Sequence, residues 1–90
     1  EVDKKTPVEM SMHLAEKFKN LRLFKKYTRK TLAKMSGVPD STIKHFETTG
    51  KVSLVSLLKI AFVLDAATEF ERLFNLPKIE TLSDVKKKYN

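Results

Sequence analysis

The stretch LAKMSGVPDSTIKHFE, residues 32–47, decides the fold because a helix end is followed closely by a helix start. Gly37 reaches a left-handed backbone conformation at little cost, and such a glycine commonly ends a helix. Pro39 suits the first position of a new helix, where no amide hydrogen is needed. The next residues are short and polar: Asp40, Ser41 and Thr42. The stretch therefore predicts two short helices joined by a tight turn, the second exposing a polar N-terminal half.

Apolar residues at helical spacing predict further helices on both sides of this stretch. Thr6, Thr28 and Ser53 are suitable cap residues for three of these helices. The expected helices span about residues 7–24, 28–36, 39–48, 53–64 and 67–74, with a weaker one at 83–88. The residues expected to face the core are Met10, Leu14, Phe18, Leu21, Leu32, Ala33, Ile43, Phe46, Leu54, Leu57, Leu58, Ala61, Leu64, Phe70, Leu73 and Phe74. No segment alternates for long enough to predict a strand, so the fold class is all-α.

Positive charge is concentrated in the first half of the chain. The 90 residues carry a net charge of +7, of which residues 1–51 hold 12 Lys/Arg against 6 Asp/Glu. Between Lys17 and Lys34 there are eight basic residues and no acidic one. Such an asymmetry indicates a polyanion partner, with nucleic acid first and an anionic membrane face second. A Lys-rich, solvated surface without a partner is the alternative that charge alone leaves open.

Other function classes find little support in the composition. The chain has no cysteine and two histidines, His13 and His45, without metal-ligand spacing. It has no glycine-rich phosphate loop and no Gly-x-Ser-x-Gly motif, so we expect neither an enzyme nor a cofactor or metal. The longest unbroken apolar run, Ile60–Leu64, is far short of a membrane span, and no secretory signal is visible. We therefore expect a cytoplasmic protein.

The segment LRLFKKYTRKTLAKMSGVPDSTIKHFETTGK, residues 21–51, resembles the Cro-like, Xre-type family of phage-repressor helix-turn-helix proteins. The resemblance covers about residues 9–75 and implies a compact five-helix, lambda-repressor-like domain. Three positions depart from the family pattern: Lys26 stands where glycine is frequent, Pro39 where a Ser or Thr cap is usual, and Thr48 where asparagine is common. The implied organisation is a DNA-binding domain over residues 1–75, with the helix-turn-helix at about 28–48, and an extension at 76–90 for docking or dimerisation.

The resemblance also implies roles for individual residues. The side chains expected at DNA bases or phosphates are Thr28, Arg29, Asp40, Ser41, Thr42, Lys44, His45 and Lys51. Asp40 is unusual in this set because a carboxylate repels phosphate, although it can accept from a cytosine amine. Arg22 and Glu47 are expected instead to form a structural ion pair between the first helix and the end of the third. Ordinary solvent exposure is the alternative for each polar residue.

The expected function is sequence-specific binding of double-stranded DNA as a homodimer, in a transcriptional regulator that acts as a repressor or autoregulator. Residues 48–74 also resemble HipB-like antitoxins, so a protein whose main partner is a HipA-like toxin is the alternative. A membrane-surface helix is a weaker rival, because the basic residues are spread over two helices and the turn between them. The expected dimer residues are Phe62, Phe70, Phe74, Leu76, Ile79, Leu82 and Val85. Alternatively, residues 76–90 cover the core of their own monomer.

Overall fold

Five α-helices and no β-strand make up residues 6–75, the part of the chain that the computed structural model describes. The helices are α1 (Pro7–Phe24), α2 (Arg29–Ser36), α3 (Asp40–Thr49), α4 (Leu54–Val63) and α5 (Ala67–Glu71). The predicted all-α, five-helix class is therefore confirmed for these residues. The weaker helix expected at 83–88 and the extension at 76–90 lie outside the described residues.

Side chains close the N-terminal ends of three helices, as the sequence predicts. The Thr6 hydroxyl accepts from the Glu9 amide at 3.1 Å, and the Glu9 carboxylate accepts from the Thr6 amide at 3.0 Å, which completes a capping box on α1. Thr28 caps α2 and Ser53 caps α4 in the same way, through hydroxyls that accept amide hydrogen bonds. These bonds satisfy amides that the helices themselves leave without an acceptor.

The turn between α2 and α3 has the predicted form. Gly37 adopts φ +78°, and its amide donates to the carbonyl of Ala33 at 2.9 Å. Val38 is buried, and its amide donates to the Ser36 hydroxyl at 3.1 Å. Pro39 occupies the cap position and not, as expected, the first helical position, so α3 begins one residue later, at Asp40. Two short helices thus meet through three residues, and the burial of Val38 anchors the turn to the core.

A single core joins the helices. α1 packs against α3, α2 packs against both α3 and α4, and α4 contacts α5. Phe18 of α1 meets Phe46 of α3 edge to face, with ring centroids 5.8 Å apart, and meets Phe70 of α5 at 6.2 Å. The other buried apolar residues are Ala15, Leu32, Val38, Ile43, Leu57, Ile60, Ala61, Leu64 and Ala66. This core fixes α3 against α1 and α2.

Several residues that we expected in the core are exposed instead. α5 ends at Glu71, so Leu73 and Phe74 lie in the following turn, where Phe74 is 95 % exposed. Leu54 begins α4 and faces solvent, while Ile60, which the prediction omitted, is buried. Met10 is also exposed. These predictions were wrong because the ends of an apolar stripe extend beyond the neighbouring helix that covers its middle.

Candidate nucleic-acid interface

The third helix has one buried face and one polar, exposed face. Ile43 and Phe46 point into the core. Ser41, Lys44 and His45 are exposed. The spacing of three and four residues places members of each set on a common side of the helix. The structure thus brings together three of the residues that the sequence places at DNA, on a helix whose other side is fixed by packing.

The N-terminus of α3 has no side-chain cap. Pro39 occupies the cap position and supplies neither a hydroxyl nor a carboxylate to the first amides of the helix. Asp40, in the first turn, is partly buried, and its negative charge is favourable near the positive end of the helix dipole. Free amides at a helix N-terminus also attract phosphate. Asp40 therefore has a stabilising role that does not require contact with a base.

A buried carboxylate joins α1, α2 and α3 beneath this surface. Glu47, near the end of α3, accepts from Nε of Arg22 at 2.7 Å and from its Nη2 at 3.1 Å. The remaining terminal nitrogen of Arg22 donates to the carbonyl of Tyr27 at 2.8 Å. The Glu47 side chain is only 3 % exposed and that of Arg22 is 7 % exposed. The expected structural ion pair is thus present, with a bidentate geometry that fixes both side chains.

Arg29 joins the same carboxylate. Its Nε donates to Oε1 of Glu47 at 2.9 Å, and its side chain is 33 % exposed. Its two terminal nitrogens make no hydrogen bond to another part of residues 6–75. Arg29 can therefore hold Glu47 and present donors to solvent at once. The resemblance implies a DNA contact for Arg29, and nothing in the sequence indicates this additional bond.

The environment of Glu47 favours its charged form. Burial alone would raise the pKa of this carboxyl group, because a charge is less stable away from water. Hydrogen bonds from Arg22 and Arg29, together with their positive charges, outweigh this effect and hold the pKa of Glu47 below its usual value. The carboxylate consequently stays ionised at neutral pH and keeps both arginines in place.

The remaining expected DNA residues lie near the ends of α2 and α3. The Thr28 hydroxyl is occupied in capping α2 and also donates to the Thr31 hydroxyl at 3.0 Å. Thr42 is partly buried in the first turn of α3, and Lys51 is exposed just after the C-terminal glycine of α3. The backbone amide of Lys51 donates to the Thr49 hydroxyl at 3.1 Å. These residues border the exposed face of α3.

The basic residues between Lys17 and Lys34 fall into two groups, those that form ion pairs and those that do not. Arg22 and Arg29 pair with Glu47, and Lys25 pairs with Asp65 at 2.8 Å. The hydrogen bond to Asp65 raises the pKa of Lys25. The five others are exposed and form no ion pair within residues 6–75: Lys17, Lys19, Lys26, Lys30 and Lys34. Part of the predicted charge patch therefore serves the fold, and the rest is free to attract a polyanion.

Residues 6–75 contain neither a metal-binding cluster nor a membrane-spanning helix. No group of three or more His, Cys, Asp or Glu side chains there is arranged to hold a metal ion. None of the helices in this part of the chain has the length and apolar character needed to cross a lipid bilayer. Comparison with protein-family models and with curated proteins gives no match.

Proposed function

We propose that this chain binds double-stranded DNA through α2 and α3, which act as a helix-turn-helix. The observation that supports the proposal best is the division of α3 into a buried face and an exposed face carrying Ser41, Lys44 and His45. A helix that reads DNA needs such a division, because one side must be held rigidly while the other enters the groove. The turn at Gly37 and the ion pairs of Glu47 with the two arginines supply the rigid support.

The chemistry of the exposed face suits the major groove. An α-helix fits this groove, where each base pair presents its own pattern of donors and acceptors. In this proposal Lys44 donates to guanine acceptors, while Ser41 and His45 read neighbouring base edges. The open N-terminus of α3 lies against a phosphate, with Lys51 and the terminal nitrogens of Arg29 on the adjoining backbone. The neighbouring lysines, such as Lys30, add attraction that is independent of sequence.

The proposal includes a homodimer that regulates transcription. One α3 helix contacts only a few base pairs, which does not single out one site in a genome. Two copies on half-sites about one helical turn apart, roughly 34 Å, multiply that information. A dimer bound over a promoter blocks access to it, so repression, including repression of its own gene, is the expected outcome. Such a role places the protein in the cytoplasm, with the nucleoid of a bacterium or a phage-infected cell.

A selection from random duplexes tests the proposal directly. The purified chain should enrich a sequence with two related half-sites, and binding should weaken steeply with salt because each neutralised phosphate releases a counterion, with a log–log slope of about −0.9 per contact. Enrichment of one motif together with a steep salt slope supports the proposed function. Salt-insensitive binding, or no binding to any duplex, overturns it.

A further inference from the structure

Within residues 6–75, an apolar surface on α2 and α4 is not covered by any other helix. A shallow hollow of about 370 Å³ lies between these helices and is lined by Met35, Ser36, Val55, Leu58, Lys59, Phe62 and Val63. Phe62 stands at this hollow with 70 % of its surface exposed. Met35, Val55 and the neighbouring Leu54 are each more than half exposed. Four large apolar side chains thus face solvent around one depression.

This surface is not an extension of the core. The buried residues of α4 are Leu57, Ile60 and Ala61, which point toward the other helices. The exposed residues Leu54, Val55 and Phe62 lie on a second face of α4, together with the half-buried Leu58, as helical spacing requires. A helix that is apolar on more than its core face generally buries the additional face against another molecule. We therefore expect the second face of α4 to bind a partner.

We propose that this surface binds a second copy of the same chain, with α4 packing antiparallel to α4 about a two-fold axis near Leu58. Phe62 and Val55 lie on either side of Leu58, about 10 Å apart along the helix axis. A two-fold axis at the midpoint brings the protruding Phe62 of each copy into the other copy's hollow, beside its Val55. The surface supplies both a projecting ring and a depression, so one patch is complementary to itself.

The charge and size of the patch agree with this occupant. Among residues 6–75, Lys59 is the only ionisable residue that lines the hollow. Its stem can extend the apolar contact while its amine stays in water at the rim. From the exposed fractions, Met35, Leu54, Val55 and Phe62 present roughly 500 Å² per copy, or about 1,000 Å² in a pair, at the lower limit for a specific interface. The dimer is consequently weak when free and is completed on DNA.

The location connects the interface to the candidate DNA surface. Met35 and Ser36 line the hollow and directly precede the Gly37 turn that leads into α3. A contact at this point fixes the distance between the two α3 helices of a dimer. The effect of this dimer on DNA binding rests on the proposed function, whereas the self-association itself is measurable without DNA. Of the dimer residues expected from the sequence it keeps Phe62, whereas Phe70 packs on Phe18 in the core.

Sedimentation equilibrium of the full chain, from micromolar to millimolar concentration, tests the interface. We expect a monomer–dimer equilibrium in which Phe62→Glu raises the dissociation constant at least about 10-fold, as for a central apolar anchor. Phe74→Glu is the matched control, because Phe74 is also an exposed phenylalanine but lies outside this patch. Val55→Glu should act as Phe62→Glu does. A monomer at all concentrations, or dissociation by Phe74→Glu instead of Phe62→Glu, overturns the proposal.

Binding to labelled random-sequence duplexes separates this inference from the proposed function. On a duplex of about 10 bp, which accommodates one copy, Phe62→Glu and the unmodified chain should bind equally. On a duplex of about 30 bp, only the unmodified chain should bind cooperatively. Dimerisation that Phe62→Glu abolishes, in a chain that binds neither duplex, supports the interface and contradicts the DNA function. Equal cooperativity of both proteins on the long duplex contradicts the interface.

Discussion

Nε of Arg29 lies 2.9 Å from Oε1 of Glu47, although the two residues are 18 positions apart, Arg29 at the start of α2 and Glu47 in the last turn of α3. Arg22 of α1 binds the same carboxylate through two nitrogens. One buried negative charge therefore joins the first three helices at a single point, directly behind the exposed face of α3. Arg29, the residue of α2 that is expected to contact DNA, is thus also part of the support that holds α3 in place.

Removing Glu47 should cost far more stability than removing Arg29. Glu47→Ala leaves Arg22 buried without its partner, and the loss of one member of a buried pair destabilises by about 3–5 kcal/mol. Arg29→Ala removes a partly exposed bond while Arg22 keeps its carboxylate, so we expect about 0.5–1 kcal/mol. Urea unfolding measures both, with the exposed Glu16→Ala as the control, expected within about 0.5 kcal/mol of the original chain. Similar losses for Glu47→Ala and Glu16→Ala would contradict the structural role of the pair.

The same carboxylate should make stability depend on pH on the acidic side. The unfolded chain takes up a proton at the usual glutamate pKa, about 4.3, whereas folded Glu47 stays charged to lower pH. Its contribution is therefore complete above the usual pKa and is lost as the pH falls through the lowered one. Urea unfolding from neutral pH to about pH 3 should show the gap between the original chain and Glu47→Gln closing as pH falls. A gap that stays constant over this range would show that the two pKa values of Glu47 are equal.

Much of the fold follows from local sequence, for identifiable physical reasons. The boundaries of α1 agree with the prediction, since a capping box marks its N-terminal end and the basic Arg22 lies in its last turn. α5 does not agree, since it is five residues long, has no side-chain cap and ends where packing on Phe18 ends. The exposed face of α3 follows from apolar spacing. The Arg29–Glu47 bond does not, because only the tertiary arrangement of α2 and α3 brings these residues together.

Gly50 is a position whose importance the sequence does not reveal. Its φ of +79° is unfavourable for other residues, and an added Cβ would lie 2.7 Å from Oγ of Ser11 and 2.9 Å from the backbone nitrogen of Met12. Gly37 has a similar φ, but an added Cβ there meets no atom within 4 Å. Gly37→Ala should therefore cost about 1–2 kcal/mol from the backbone alone. Gly50→Ala should cost a further 1–3 kcal/mol or so from overpacking against α1.

Thermal and urea unfolding of the two glycine variants test this difference. Both substitutions add the same methyl group at a left-handed position, so each serves as the other's control for backbone strain. The expected order is the original chain, then Gly37→Ala, then Gly50→Ala. An equal loss for both variants would mean that the α3–α4 turn moves away from α1 without cost.

Lys26 offers the opposite case, a substitution that should stabilise the protein. It adopts φ +61°, in the left-handed region, at the turn between α1 and α2. Lys26→Gly removes the steric cost of the side chain, although it also raises the entropy of the unfolded chain. We expect a net gain of about 0.5–1 kcal/mol in urea unfolding. The control is Lys30→Gly, which removes the same charge within α2 and should lower the free energy of unfolding by about 0.5–1 kcal/mol. If Lys26→Gly also lowered the free energy of unfolding, strain at this turn would be contradicted.

Lys44 and Lys17 should contribute unequally to DNA affinity. Lys44 lies on the exposed face of α3, whereas Lys17 lies on α1 at a groove that α1 forms with α5. Both are exposed, so alanine at either position removes one charge without disturbing the core. If α3 enters the major groove, Lys44→Ala loses a base contact worth about 1–3 kcal/mol, or roughly 5- to 150-fold in affinity for the selected duplex.

Lys17→Ala should lose much less, because its charge acts only over distance and salt screens it. Ser41→Ala should shift the preferred sequence while leaving the melting temperature nearly unchanged, since the hydroxyl is exposed and the core residues of α3 are untouched. Fluorescence anisotropy on the selected duplex and on a scrambled one measures these effects. Equal weakening by Lys44→Ala and Lys17→Ala on both duplexes would mean that binding is a general attraction to phosphate, and that α3 does not read bases.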